Sequence, residues 1–421
     1  MSSGSQIAIT GMGVISPSGI GTDAFWASLC ARRSAVRDLA LFPVPGLPTT
    51  FGAEVADFDP KQYVRPRKSL KVMSRDIQMA CAAADLACAQ AGHHAAPFKP
   101  ERLGVLFGAE PIPVDVNELV VAFRSCLVGG QFDFELWGKN AMSELFPLWM
   151  LKYLPNMPAC HIAIAQDARG PNNSMTLGDV SSLLAVAEAV RVIERGHADV
   201  IVAGGASSRI APPLWVRSGV FEYTRRNENP AAASRPFDAG RDGMVAGEGA
   251  AAFVLETVRR AESRGATILA RVLGFASAFE PTRNGQPLAG TAIRAAILQA
   301  LDHAGLTPSD VGHVNAHGAS TRHDDRIEAQ AIRETLGDVP VFAPKSYFGN
   351  LGPGGGAVEM VASVLAIAHG LVPPTLNYEH PDPECPVHVV SGEGEPSRRP
   401  TALLLNHTPQ GQAAALVVGA A

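Results

Sequence analysis

Apolar residues along the chain fall into two periods, and the elements they mark alternate. Ile7-Ala-Ile-Thr10, Val200-Ile-Val202, Ala250–Leu255, Ala266–Leu273 and Leu403–Leu405 are short apolar runs, suited to buried strands. A similar strand and turn is expected between Val311 and Gly318. The first run is expected to stop at Gly11-Met-Gly-Val-Ile-Ser-Pro17 and the second at Ala203-Gly-Gly-Ala206, with Thr22 or Asp23 capping a helix that carries Phe25, Trp26 and Leu29. Leu70, Met73, Ile77, Cys81, Ala84 and Cys88 share one face of a helix over 69–91 that Gly92 can end. Further helices are predicted at about 179–195, 291–304, 325–336 and 355–369, closed by Gly196, Gly305, Gly337 and Gly370. Strands alternating with helices imply a layered α/β fold. No linker or low-complexity tract divides the chain, so it reads as one compact unit, with two similar halves, 1–255 and 256–421.

Composition narrows the function classes. Of 421 residues 47% are hydrophobic and 18% charged, enough to build a large core and too apolar for a disordered chain. With 35 Lys and Arg against 40 Asp and Glu, the net charge of −5 argues against a nucleic-acid binder. The start of the sequence lacks a basic, apolar leader, and no run approaches the roughly 18 apolar residues of a membrane span. A cytoplasmic protein without membrane contact is expected. The six cysteines form no C-x-x-C pair, which fits reduced thiols and no metal site. Six cations, Lys61, Arg65, Arg67, Lys68, Lys71 and Arg75, lie within fifteen residues and read as a solvated helix face or a docking patch for an acidic partner. Phe132, Phe134, Trp137, Met142, Phe146, Trp149, Met150 and Tyr153 read as core or dimer interface rather than a cofactor box.

Nine stretches together resemble the β-ketoacyl-ACP synthases of the thiolase superfamily, most closely the elongating synthase-II type. They are Thr10-Gly-Met-Gly-Val-Ile-Ser-Pro17, Asn156-Met157, Gly170-Pro-Asn172, Ala203-Gly-Gly205, Ser234-Arg-Pro-Phe-Asp238, Arg241-Asp-Gly-Met-Val-Ala-Gly-Glu-Gly249, Asn315-Ala-His-Gly318, Lys345-Ser346 with Gly349, and Pro373-Pro-Thr-Leu-Asn377. The resemblance runs end to end. It implies a five-layered αβαβα fold of two related halves and a dimer. Its chemistry would be decarboxylative Claisen condensation on chains carried by the phosphopantetheine of an acyl carrier protein, with no further cofactor. The cationic segment would then be the carrier docking patch.

The resemblance also shows where this chain departs. The family's cysteine nucleophile, a thiol at a helix N-terminus, corresponds to Asp179 in Gly170-Pro-Asn-Asn-Ser-Met-Thr-Leu-Gly-Asp179. Cys160, assigned to the preceding strand region, and Cys385 do not fit its register. A carboxylate attacking a thioester would give a mixed anhydride, so the acyl-enzyme step is expected to be lost. Asp179 reads either as a helix N-cap or as the partner of His317 in base chemistry. His317 matches the first family histidine, Glu328 the acid expected to pair with Lys345, and Asn350 stands at the second histidine. Of two threonines expected on the pantetheine arm, Ala319 replaces one and Thr321 remains, while the gating loop reads Thr408-Pro409-Gln410-Gly411, which Pro409 stiffens. Two functions follow. One is the partner subunit of an active, cysteine-containing ketosynthase, as chain-length factors are, in fatty-acid or polyketide assembly. The other is a stand-alone decarboxylase, hydrolase or acyltransferase built on Asp179, His317 and Asn350. A homodimer that only binds acyl carrier protein is the plainer third.

Overall fold

The computed structural model describes residues 6–40, 49–216, 222–282 and 287–421. Its main sheet runs His388–Val389, Pro340–Phe342, His313–Asn315, Thr401–His407, Gln412–Gly419, Ala270–Phe279, Ile7–Ser16, Glu248–Thr257, Val200–Ser208, Leu103–Gly108 and Asn172–Met175, with Gly19–Ile20 paired to the end of Ile7–Ser16. The same motif occurs twice. With the two-residue strands Gly19–Ile20 and His388–Val389 set aside, and the others numbered in chain order from Ile7–Ser16 and again from Ala270–Phe279, five strands lie in the order 1-5-4-2-3 in each motif. In both sets strand 5 is antiparallel to 1 and 4, and strand 2 is parallel to 3 and 4. The two motifs join where Ile7–Ile9 pairs antiparallel with Ala270–Val272.

Helices Ser181–Glu194 and Gly355–His369 pack against strands of both motifs and form the middle layer. Arg75–Gln90 and Met157–Ala165 cover the first motif, and Thr291–Ala304, with Arg322–Leu336 beside it, covers the second. The result is the layered αβαβα arrangement expected from the sequence. Gly355–His369 is buried all round from Gly355 to Ala366, as a helix packed between the two halves of the sheet must be, yet it carries Glu359. Among the described residues no helix is long and apolar enough to cross a membrane.

Helix C-termini follow the sequence closely: Thr291–Ala304 and Gly355–His369 end at left-handed Gly305 and Gly370. The helix expected over 69–91 is shorter, Arg75–Gln90, capped by Ser74, whose hydroxyl accepts from the Ile77 amide; Leu70 lies in a separate 3-10 helix, Arg67–Val72, and Met73 is extended between them. The strand ends do not follow the sequence. Ile7–Ser16 continues through Gly11 and Gly13, with one register shift, and Val200–Ser208 continues through Gly204 and Gly205. These glycines permit close approach rather than turns. A Cβ on Gly13 would lie 2.2 Å from the Ala83 carbonyl oxygen of the covering helix, and one on Gly205 2.2 Å from that of Pro353. The strand expected over 266–273 is shifted to Ala270–Phe279. Gly21, not Thr22 or Asp23, is the N-cap of the first helix, and no side chain bonds there. Cys160 lies in helix Met157–Ala165 rather than a strand.

Candidate active site

Four strands of the two motifs release their chains into one buried cluster of polar side chains. Leu103–Gly108 leads to Glu110, Val200–Ser208 to Arg209, His313–Asn315 to His317, and Thr401–His407 ends in Asn406 and His407. Carboxyl ends of strands are where open α/β sheets place ligands. Asp179 joins them from the tight turn Gly178–Val180 ahead of helix Ser181–Glu194, and Asn350 follows the short helix Lys345–Phe348.

Asp179 is buried, and its carboxylate is neither an N-cap nor the partner of His317. The residue ahead of helix Ser181–Glu194 is Val180, with no side-chain cap bond. Asp179 is held instead by Arg209: Nη1 lies 3.0 Å from Oδ1 and 3.3 Å from Oδ2. The other edge of the guanidinium forks onto Glu110, with Nη2 to Oε2 at 3.2 Å and Nε to Oε1 at 3.3 Å. Nη1 also donates to Asn350 Oδ1 at 3.1 Å. Arg209 is thus buried between two carboxylates, and Ser207 adds a short hydrogen bond to Glu110. Gly352, at φ 54°, leaves the room: a Cβ there would lie 2.6 Å from Arg209 Nε.

Asn350 Oδ1 takes a second hydrogen bond, 2.8 Å from the Gly352 amide. Both partners can only donate, so the oxygen must face them. That leaves Nδ2 as a buried donor with no hydrogen-bond partner.

His317 keeps the machinery behind it, though not as expected. Its Nδ1 lies 3.2 Å from Lys345 Nζ and 3.4 Å from Asn406 Nδ2. Burial, then the Lys345 charge, hold its pKa well below the ordinary histidine value. A neutral ring accepting at Nδ1 carries its hydrogen on Nε2. Lys345 pairs with Glu359, through a short contact, rather than with Glu328. Glu359 also accepts from Asn406 at 2.8 Å, and burial pushes its pKa up against the pull of Lys345. Glu328 instead accepts the backbone amides of His317 at 2.6 Å and Gly318 at 2.8 Å, fixing the turn that presents the imidazole. Its other neighbour is His407, 3.8 Å away, too far for a hydrogen bond. Burial alone would lower the His407 pKa, but the Glu328 interaction outweighs it and the value is raised.

The remaining sequence candidates divide. Thr321 is the N-cap of helix Arg322–Leu336, bonded to Asp324, and Ala319 is buried nearby. Thr408 is buried at the start of a tight hairpin, its amide bonded to Gln412 O at 2.8 Å, and its methyl would lie 3.5 Å from a Cβ on Gly178. Gln410, at the tip, is exposed. Lys61, Arg65, Arg67, Lys68 and Lys71 are exposed, but Arg75 is not a surface charge: it pairs with buried Glu248 at 2.7 Å. The aromatic and sulfur segment is not core. Phe134 is 82% and Met142 83% exposed, and Phe146, Leu148 and Met150 are exposed beside them. Sequence reading missed Arg209, Glu110, Glu359, Asn406 and His407. A lone arginine after a strand of small residues was the only sign of Arg209.

Comparison with known proteins matches residues 4–261 to the N-terminal domain of β-ketoacyl synthases and residues 269–379 to their C-terminal domain. A putative polyketide β-ketoacyl synthase 1 of Streptomyces cyaneus is 38% identical, over 93% of each chain. The ketoacyl synthase alpha subunit of the tetracenomycin polyketide synthase of Streptomyces glaucescens is 37% identical, over 94% of this chain and 93% of that one. Among solved structures, the ishigamide ketosynthase/chain length factor superposes at TM-score 0.86 with 26% identity, over 100% of both chains. A type II polyketide ketosynthase in complex with its acyl carrier protein, AntDE:AntF, superposes at 0.85 with 27% identity, over 99% of this chain and 100% of that one.

Proposed function

The chain belongs to the β-ketoacyl synthase family, and from that premise we propose that it is a non-condensing member of a type II polyketide or fatty-acid assembly, the partner subunit of a cysteine-containing ketosynthase. The observation that carries this reading is the Asp179–Arg209 pair. At the position where the resemblance puts the nucleophile stands a carboxylate held by a buried arginine that it shares with Glu110, so no free nucleophile faces an incoming thioester. The apolar surface around Phe134, Met142, Phe146 and Met150 supplies an area for a partner to cover. A ketosynthase paired with a chain length factor is among its structural relatives.

Acyl carrier protein is the second proposed partner, docking on Lys61, Arg65, Arg67, Lys68 and Lys71. Rim charges act mainly on encounter. Lys68→Glu with Lys71→Glu should slow carrier association about tenfold at low salt and flatten its salt dependence. Stopped-flow measurement with a fluorescent acyl carrier protein reads both.

The partner reading is tested by co-expression with a cysteine-containing ketosynthase of a type II assembly from the same source and native mass spectrometry. A stable heterodimer whose products differ in length from those of the synthase alone supports it. A homodimer that leaves the synthase unaffected overturns it.

A second reading has one specific observation in its favour. Neutral His317, with its hydrogen on Nε2, and the unpartnered Nδ2 of Asn350 are two N–H donors of the kind that hold a thioester carbonyl as it becomes an enolate. Malonyl thioester would then lose its carboxylate as CO2, with cleavage of the C–C bond, and the carbanion would take a proton from water to leave acetyl thioester. The Arg209 charge, though shared with Glu110, offsets part of the repulsion that a bare Asp179 carboxylate would exert on malonate.

A further inference from the structure

Arg209 touches both departures at the catalytic positions, Asp179 and Asn350, at once. Through Nη1 it meets Asp179 and Asn350, and through Nε and Nη2 it meets Glu110. It is among the largest fully buried side chains of the molecule, and the Gly352 backbone is shaped around it. A buried guanidinium with two carboxylates and an amide oxygen around it is a built arrangement, since an arginine is buried only at high cost unless paired.

We infer that Arg209 is the positioning residue of this site: it holds Asp179 and Asn350 on one nitrogen, so that a chain entering the pocket meets the Asn350 amide N–H and no free carboxylate. This rests on the reading that the pocket handles carrier-bound acyl chains, and it adds the residue that decides what such a chain meets. Arg209 contacts no reacting atom in this scheme. It acts through the two side chains it holds, and the glutamate on its far side competes for its charge.

The competition makes the inference testable without turnover. In an Asp179→Cys variant a thiol replaces the carboxylate beside Nη1, at the foot of helix Ser181–Glu194, and both features favour thiolate. The charged and titratable groups facing it are Arg209, Glu110, Tyr223 and His317, with Lys345 and Glu359 behind the imidazole. Thiolate absorbance in the ultraviolet, titrated against pH and taken as the difference from the wild-type protein with its six native cysteines, reads the midpoint directly. The expected midpoint lies about one unit or more below the roughly 8.5 of an ordinary cysteine.

Adding Arg209→Gln should return the midpoint to that value or above it. Adding Glu110→Gln should lower it further, because Arg209 then has one anion to serve. This second variant removes a partly exposed carboxylate and keeps the test open if the first does not fold. An arginine whose charge did not reach position 179 would leave the midpoint in place when replaced by Gln, and an unchanged midpoint in either double variant overturns the inference. Failure of the partner reading would show elsewhere, as the absence of a heterodimer, so the two outcomes are separable.

Discussion

Arg209→Met should be the most damaging single change at the site, costing about 3–5 kcal/mol of stability. It leaves the Asp179 and Glu110 carboxylates facing one another without their shared counter-ion. The sign of its pH dependence follows. Without the guanidinium, burial and like charge raise the folded-state pKa of the pair above the unfolded values near 4. A native state that binds more protons than the unfolded chain loses stability as pH rises through the raised pKa. The deficit against wild type should therefore be smaller at pH 5 than at pH 8. Urea denaturation of both proteins at the two pH values measures it. Using the difference removes what they share, including Asp76, whose carboxyl is pushed to about 7 mainly by burial, and His407. Combining Arg209→Met with Asp179→Asn and Glu110→Gln should recover most of the loss, since replacing a whole buried ion set is far milder than breaking it.

Gly13→Ala should cost about 3 kcal/mol or more, a large effect for one methyl group. Its Cβ would stand 2.2 Å from the Ala83 carbonyl oxygen and 2.7 Å from Leu86 Cβ, so backbone and not a flexible side chain is in the way. Helix Arg75–Gln90 would have to lift from strand Ile7–Ser16, opening the packing of Cys81, Ala84 and Cys88 below it. Gly138→Ala, in a helix where the added methyl meets nothing within 4 Å, is the matched control and should be neutral or slightly stabilising. Urea midpoints of the two variants distinguish a packing requirement from a general cost of losing glycine.

That glycine also marks where local pattern misleads. Alternation and apolar runs exposed the layered fold, because each strand and each helix must bury a face. Helix ends were legible too, since Gly305 and Gly370 stop helices by their own backbone preference. Glycine in a strand carries two messages, a turn or a close neighbour. Only the neighbour, 70 residues along the chain for Gly13 and Ala83, says which.

The site was legible residue by residue where motifs fix position, as at Asp179, His317, Lys345 and Asn350. Pairing was not, because partners come from different strands. Lys345 chose Glu359 from the middle helix over Glu328, which was needed by two backbone amides. Asp179 chose an arginine from the end of another strand over its own helix.

The most direct measurement is intact-mass and product analysis of the isolated protein with malonyl-ACP and with a medium-chain acyl-ACP, wild type against His317→Ala. A non-condensing partner subunit should show no acyl adduct, no acetyl-ACP and no free acid in either form. Acetyl-ACP, free acid or an acyl adduct made by wild type and lost in His317→Ala would contradict it, and acetyl-ACP in particular would establish the decarboxylase reading in its place.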